Sequence, residues 1–242
     1  MSRSVLSLSP IAAHALWAAT YDRDPNPLLA LEERTVEPLL PVSMEGHVAL
    51  DVACGTGRWL TKLSRRDATA VGLDLSAEML HQASRKPMLG SSGLSGSSLI
   101  QADCLAVPLR SCSVDLAIFS LGLGYVKDLS GLAKELSRVL RNGGQLILSD
   151  FHPSAQARGW KRSFRRGETI VEISSFARSL EGICGAFGGQ GFRLVHCIEQ
   201  QFGEADQPLF EQCGRLDLFP KALGEAAIFV CVFRCVKDPA ID

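Results

Sequence analysis

The sequence predicts an α/β fold built on a doubly wound, largely parallel sheet, and three observations carry that reading. From His47 onward, short apolar runs alternate with helical stretches. That βαβα order calls for parallel strands joined by right-handed crossovers. The first run, His47-Val-Ala-Leu-Asp-Val-Ala53, breaks into a glycine turn, Cys54-Gly-Thr-Gly57, and then into a helix beginning near Arg58. The second run, Ala70-Val-Gly-Leu-Asp74, ends on a carboxylate.

Taken in order, strands are expected at about 47–53, 69–74, 98–101, 114–120 and 144–150, with helices over roughly 57–66, 76–86 and 128–140. Asn142-Gly143-Gly144 stands where it would cap the last of these helices and turn the chain into the fifth strand. Gly90–Ser98 is rich in Gly and Ser and reads as a flexible surface connection. After Asp150 the pattern changes. Gly159–Ile173 looks like a turn with a short hairpin, and Ser174–Phe187 like a helix. Phe192–Gln201 and Ile228–Val236 look like two strands able to pair antiparallel. Near the start, Leu28–Leu40 carries apolar residues spaced for one buried helical face, and Asp24-Pro-Asn-Pro27 breaks it from an earlier helical stretch. The expected organisation is one domain over 1–242: a helical lid at 1–45, a core at 46–150, and an insertion with a closing β-hairpin at 151–242.

Bulk properties agree. A chain of 242 residues with 46% hydrophobic composition fits one sizeable α/β domain with additions. Its 25 Lys and Arg against 26 Asp and Glu give a net charge of −1, so no nucleic-acid partner is expected. No apolar run approaches the length that crosses a bilayer. Ile11–Ala19 is apolar and alanine-rich, but His14 interrupts it and only Arg3 precedes it, so it reads as an amphipathic helix and not a signal peptide. The eight cysteines are scattered without a C-x-x-C pair, which suits free thiols in the cytoplasm and no metal site. Cys231, Phe233 and Cys235 share one strand face and read as core.

The glycine turn carries the chemistry. Gly55 and Gly57 tolerate positive φ and lack Cβ, so backbone can press against a ligand there. Asp74 follows about 20 residues on, at a strand end where a ribose diol is held. A nucleoside is the expected ligand. The dinucleotide fingerprint, however, demands a third glycine beside the pyrophosphate, and Leu60 stands in its place. Asp51, four positions before Gly55, would face and repel a pyrophosphate; it suits a ligand with positive charge or hydroxyl and ammonium donors.

At these residues the chain resembles the class I S-adenosylmethionine-dependent methyltransferases, whose first motif is D-x-x-x-G-x-G. The resemblance continues through Asp74-Leu-Ser-Ala-Glu-Met79, Gln101-Ala-Asp103 and Ser113-Val-Asp-Leu-Ala-Ile-Phe-Ser120 to the stretch from Leu132 to Asp150. It implies a Rossmann-like, seven-stranded sheet with an antiparallel last strand, and points to the small-molecule branch that includes ubiquinone and menaquinone methyltransferases. The cofactor then lies outside the carboxyl ends of the first, second and fourth strands. The backbone of Ala53, Cys54, Gly55 and Gly57 would line its methionine and ribose portion, and Asp74 would accept from both ribose hydroxyls. Leu75 and Met79 would sandwich the adenine. Asp103 would accept from its exocyclic amine, with the Cys104 amide donating to a ring nitrogen. Ser120 would lie beneath the methyl donor. Leu16-Trp-Ala-Ala-Thr-Tyr21-Asp22 resembles the N-terminal helix that closes over the cofactor in small-molecule members, with Tyr21 bonding the methionine carboxylate.

The sulfonium is already electrophilic, so positioning and exclusion of water supply most of the catalysis. A base is needed only for a protonated nucleophile. His152, after the fifth strand, is the expected candidate, with a brace for the Pro153 turn as its alternative role; His14, His47, His81 and His196 are placed less suitably. Arg158, Lys161, Arg162, Arg165 and Arg166 either guide an acidic substrate or form a solvated face. The expected activity is methyl transfer from S-adenosylmethionine to O, N or C of a small-molecule metabolite, by a monomer or homodimer. An RNA or protein methyltransferase is the alternative, although Ser120-Leu-Gly-Leu-Gly-Tyr125 lacks the N/D-P-P-Y/F motif of amino-methylating members. A non-catalytic partner subunit is a third, disfavoured by the intact Asp51, Gly55, Gly57 and Asp74.

Overall fold

The computed structural model describes residues 4–23, 25–86 and 97–237; the Gly/Ser connection, up to residue 96, and Asp24 of the helix break lie outside them. The sheet begins at β2 (Val48–Val52), since a short β1 (Val5–Leu8) precedes it together with helices α1 (Pro10–Trp17) and α2 (Pro27–Val36). The chain continues through α3 (Arg58–Ser64), β3 (Thr69–Asp74), α4 (Ala77–Ser84), β4 (Ser98–Gln101), β5 (Val114–Ser120), α5 (Leu129–Val139) and β6 (Leu140–Phe151). Then come α6 (Pro153–Ala157), a hairpin of β7 (Ser163–Arg166) and β8 (Thr169–Ile173), and α7 (Leu180–Gly188). Finally β9 (Phe192–Gln201) is joined through α8 (Gln207–Gln212) and α9 (Phe219–Ala222) to β10 (Ala226–Cys235).

Seven strands form one sheet in the order β4-β3-β2-β5-β6-β10-β9. β2 pairs parallel with β3 and β5, while β10 runs antiparallel to both β6 and β9. The expected doubly wound sheet with a reversed last strand is therefore present. Each face carries its own core. On one, Leu132, Leu136 and Val139 of α5 and Phe187 of α7 pack under Phe229, Cys231, Phe233 and Cys235 of β10. On the other, Leu31 of α2, Leu60 of α3 and Phe210 of α8 belong to one core with Ala49 of β2, Ile118 of β5 and Ile228, Val230 and Val232 of β10.

Two boundaries differ from the sequence reading. The Asn142-Gly143-Gly144 turn does not cap α5. The helix ends at Val139, Leu140 is already extended, and the turn is a bulge inside β6 where the register jumps from Val114↔Leu140 to Leu116↔Gln145. Gly143, at φ 76°, makes that bulge possible. α7 starts six residues late, at Leu180, because Ser179 supplies the N-cap by accepting from the Gly182 amide.

α3 lacks a capping side chain of its own, since its N-cap is Gly57 at φ 80°. Asp51 substitutes: its Oδ2 accepts the Leu60 amide at 2.8 Å across the turn. Asp51 is 2% exposed and turned into the protein. The expectation that it faces the ligand is thus corrected; the turn needs an internal acceptor more than the ligand does. Leu60 also explains the missing third glycine. A Cβ at Gly72 of β3 would stand 2.9 Å from its Cδ2, so the small residue that permits close helix–strand packing sits on the strand.

Residues 1–45 are not purely helical. β1 pairs parallel with β8, an edge that the short Val5-Leu-Ser-Leu8 run did not announce. α2 then docks on the sheet through a charge. Glu32, fully buried, accepts from Arg58 at 2.6 Å, from Ser120 Oγ at 2.8 Å and from Ser149 Oγ at 2.7 Å.

Two outcomes follow. Glu32→Ala strips the acceptor from two hydroxyls and one guanidinium, and is expected to cost about 3 kcal/mol in urea denaturation, with Glu32→Gln losing less. Burial raises the Asp51 carboxyl to about 7. Its folded value exceeds its unfolded one, so the associated stability is full below pH ~4 and is lost as pH rises through ~7. The melting temperature of wild type should therefore fall, relative to Asp51→Asn, between those limits.

Candidate active site

The carboxyl ends of β2, β3 and β5 open into a cavity of about 1470 Å³, roofed by α1, the start of α2 and the β7–β8 hairpin. Two non-glycine residues at its floor hold left-handed backbone, Ala53 at φ 53° directly after β2 and Leu121 at φ 54° directly after β5. Such conformations cost free energy and cluster where a site needs them. Both line the cavity.

Asp74 ends β3 on the cavity wall. Its Oδ2 accepts the Gly55 amide at 2.7 Å and its Oδ1 the Ser76 amide at 2.8 Å. One carboxylate thereby ties the glycine turn to the N-cap of α4, where Ser76 Oγ accepts from Met79. Each oxygen keeps a further lone pair, and Asp74 lines the cavity. Leu75 is exposed on the wall and Met79 is buried beneath it. Asp103 and Cys104 lie beyond them; Asp103 Oδ1 accepts the Leu105 amide at 2.9 Å, and burial pushes the Cys104 thiol up to about 12. Ser120 reaches the cavity edge, with its hydroxyl held by Glu32 and Arg58.

Cys54 and Gly57, expected to line the ligand, are not among the residues that line the cavity. They shape the turn from behind. The Gly57 amide donates to the Cys54 carbonyl at 2.8 Å, the Cys54 side chain packs toward β3, and a Cβ at Gly57 would meet Ala83 at 3.2 Å. Ala53 and Gly55 are the turn residues that reach the cavity.

From above, Tyr21 and Trp17 close the site, with ring centroids 4.6 Å apart, and Trp17 stacks on Phe164 of β7 at 4.6 Å. Burial holds the Tyr21 phenol up at about 12, so it stays protonated and able to donate. The neighbouring Asp22 accepts from Thr56 of the glycine turn at 2.9 Å and pairs with Lys86 at 2.8 Å.

His152 is not at the site. It is the N-cap of α6, its Nδ1 bonding Ser154 and its Nε2 meeting Glu199 of β9 at 2.8 Å. Both ring nitrogens are engaged, and of this pair it is Phe151 that lines the cavity. The role that fits is the brace of the Pro153 turn. The histidine that does line the cavity is His14 of α1.

The basic segment splits. Arg162 is buried, paired with Asp150 and donating to the Leu121 carbonyl at 2.8 Å, with its guanidinium 4.3 Å over the Phe151 ring and 4.8 Å over Tyr125. Asp150 also accepts the Gly124 amide at 2.7 Å, so the pair fixes the loop after β5. Lys161 and Arg158 line the cavity but are held by Glu172 at 2.8 Å and Glu225 at 2.9 Å. Sequence reasoning missed Glu32 and Arg162 as structural charges. Both had a signal: Glu32 interrupts the stripe Leu28, Leu31, Val36, and Arg162 alternates with Trp160 and Phe164.

Residues 50–148 match a methyltransferase domain family. The malonyl-[acyl-carrier protein] O-methyltransferase of Methylovorus sp. (strain MP688) is 29% identical over 163 residues, 66% of this chain and 55% of that protein. The demethylmenaquinone methyltransferase of Bacillus velezensis is 34% identical over 106 residues, 43% of this chain and 45% of that one. The chain thus spans about half the length of these curated relatives. The crystal structure of an S-adenosylmethionine dependent methyltransferase from Mesorhizobium loti superposes with a TM-score of 0.66 at 23% identity, covering 86% of this chain and all of that one. The likeness to a methyltransferase domain thus covers residues 50–148, and the strand order of the sheet is the fold that the Mesorhizobium loti structure shares.

Proposed function

We propose that the protein transfers a methyl group from S-adenosylmethionine to a small-molecule acceptor. The observation that supports this best is Asp74 bound to the Gly55 amide inside one large cavity. At about 1470 Å³ that cavity exceeds the roughly 300–1,000 Å³ typical of a single-ligand pocket, leaving room for cofactor and acceptor together.

In this reading Asp74 accepts from the ribose hydroxyls, and the Ala53 and Gly55 backbone lies along the ribose and methionine. Leu75 and Met79 flank the adenine, and Asp103 with the Cys104 amide meets its polar edge. Tyr21 donates to the methionine carboxylate, and Ser120 sits beneath the donor. The N-terminal segment acts as the lid, joined to the glycine turn by Asp22. S-adenosylmethionine, when bound, supplies a methyl already activated by its sulfonium. The protein's part is to hold the acceptor in line with it and to exclude water, which Trp17, Tyr125, Phe151 and Phe164 do as an aromatic wall. The named relatives are methyltransferases of demethylmenaquinone and of malonyl-[acyl-carrier protein], and in this reading the acceptor here is likewise a biosynthetic intermediate.

Calorimetry tests the cofactor. S-adenosylmethionine and S-adenosylhomocysteine should bind and NAD should not; comparable NAD binding overturns the reading. Asp74→Ala should weaken S-adenosylhomocysteine about ten- to a hundred-fold, the loss of a charge-assisted hydrogen bond. Unchanged affinity would leave Asp74 as only a tie between the glycine turn and the start of α4.

A further inference from the structure

Proton transfer has no assigned residue once His152 is removed from the site. Of the candidate proton acceptors that line the cavity, Tyr21 is held protonated, Cys104 is pushed up by burial, Asp74 and Asp103 belong to the nucleoside half, and Glu172 and Glu225 are paired with Lys161 and Arg158. His14 remains. Its Nδ1 lies 2.8 Å from the Pro10 carbonyl of its own helix. A carbonyl only accepts, so Nδ1 must carry the hydrogen, and in the neutral ring Nε2 is then a bare lone pair. Nε2 has no hydrogen-bond partner among the described residues, and it occupies the ring edge opposite the helix backbone. The ring is fixed there, edge-on to Tyr125 at 5.1 Å and over Trp17 at 6.3 Å.

We propose that His14 is the proton acceptor of the reaction and that the acceptor is a protic nucleophile, a phenol, enol or alcohol, whose O–H is aimed at Nε2. This rests on the methyl-transfer reading and names its substrate class. In the step, Nε2 takes the hydroxyl proton while the oxygen pair forms the new bond to the methyl carbon; the electron pair of the C–S bond stays on sulfur, giving a neutral thioether. The imidazolium then returns its proton to solvent. An already ionised carboxylate would need no such base.

The surroundings keep His14 ready for that task. Burial lowers its affinity for protons, so it is neutral near pH 7. Asp74 at the end of β3 favours the imidazolium and Arg162 ahead of β7 opposes it. Tyr125, beyond β5, is itself held protonated by burial, and Glu172 on β8 is occupied by Lys161.

Histidine ¹⁵N NMR on the full chain tests this without knowledge of the acceptor, using the sulfonium as a charge probe. His14 is assigned from the signal lost in His14→Gln, or in His14→Asn should the first fail to fold. The expected result is the Nδ1–H tautomer and a titration midpoint below 6.5. With S-adenosylmethionine bound, that midpoint should fall by about half a unit or more below its value with neutral S-adenosylhomocysteine, because a positive charge a few ångströms away opposes the imidazolium. Equal midpoints in the two complexes, or an Nε2–H tautomer, overturn the proposal. If neither ligand moves the Gly55 amide signal, the methyl-transfer reading itself fails and takes the proposal with it.

Discussion

The buried carboxylate of Glu32 is the contact on which the site's assembly depends. It comes from α2, outside the sheet, yet it binds a serine at the end of β5, a serine near the end of β6 and the arginine that opens α3. A charge taken fully out of water is tolerated only when every lone pair is matched. Here the match draws on three elements converging on the cavity floor. α2 therefore has one seating, since a shift of a single helical turn would strand the charge. The apolar contacts of Leu31 and Val36 supply attraction without that discrimination.

The glycine turn illustrates the same economy. Gly57 provides the backbone freedom but no cap, and Asp51 supplies the cap from the preceding strand. Asp74 fixes the other side of the turn through Gly55. The two carboxylates that mark the motif thus divide the work: one is buried structural scaffolding, and the other keeps a face open to the cavity.

How much of this was legible follows from where the information lies. Strands β3, β4 and β5 begin and end as expected because continuous apolar runs bounded by turn residues leave few alternatives. Leu140–Gly144 was misread because a glycine-rich stretch signals a helix end and an in-strand bulge equally well. β1 was invisible: four residues become a strand only because β8 offers them a partner 165 residues away. For the site, spacing located the turn and Asp74 but could not say which way a side chain points. Asp51 and His152 both failed on direction, one turning inward to an amide and the other outward to Glu199. His14 was passed over because nothing local reveals that α1 lies across the cavity.

The pairing of β1 with β8 also bears on how the molecule is made. Val5 meets Ile170 and Leu8 meets Ile173, so β1 has no partner until β8 has been made, 165 residues later. Contacts of such long range close late and at high entropic cost. The order of synthesis and the order of assembly are therefore opposed: the parallel sheet is complete as far as β6 while the N-terminal strand is still waiting. Truncated chains ending before Thr169 would have a formed floor and no anchored roof.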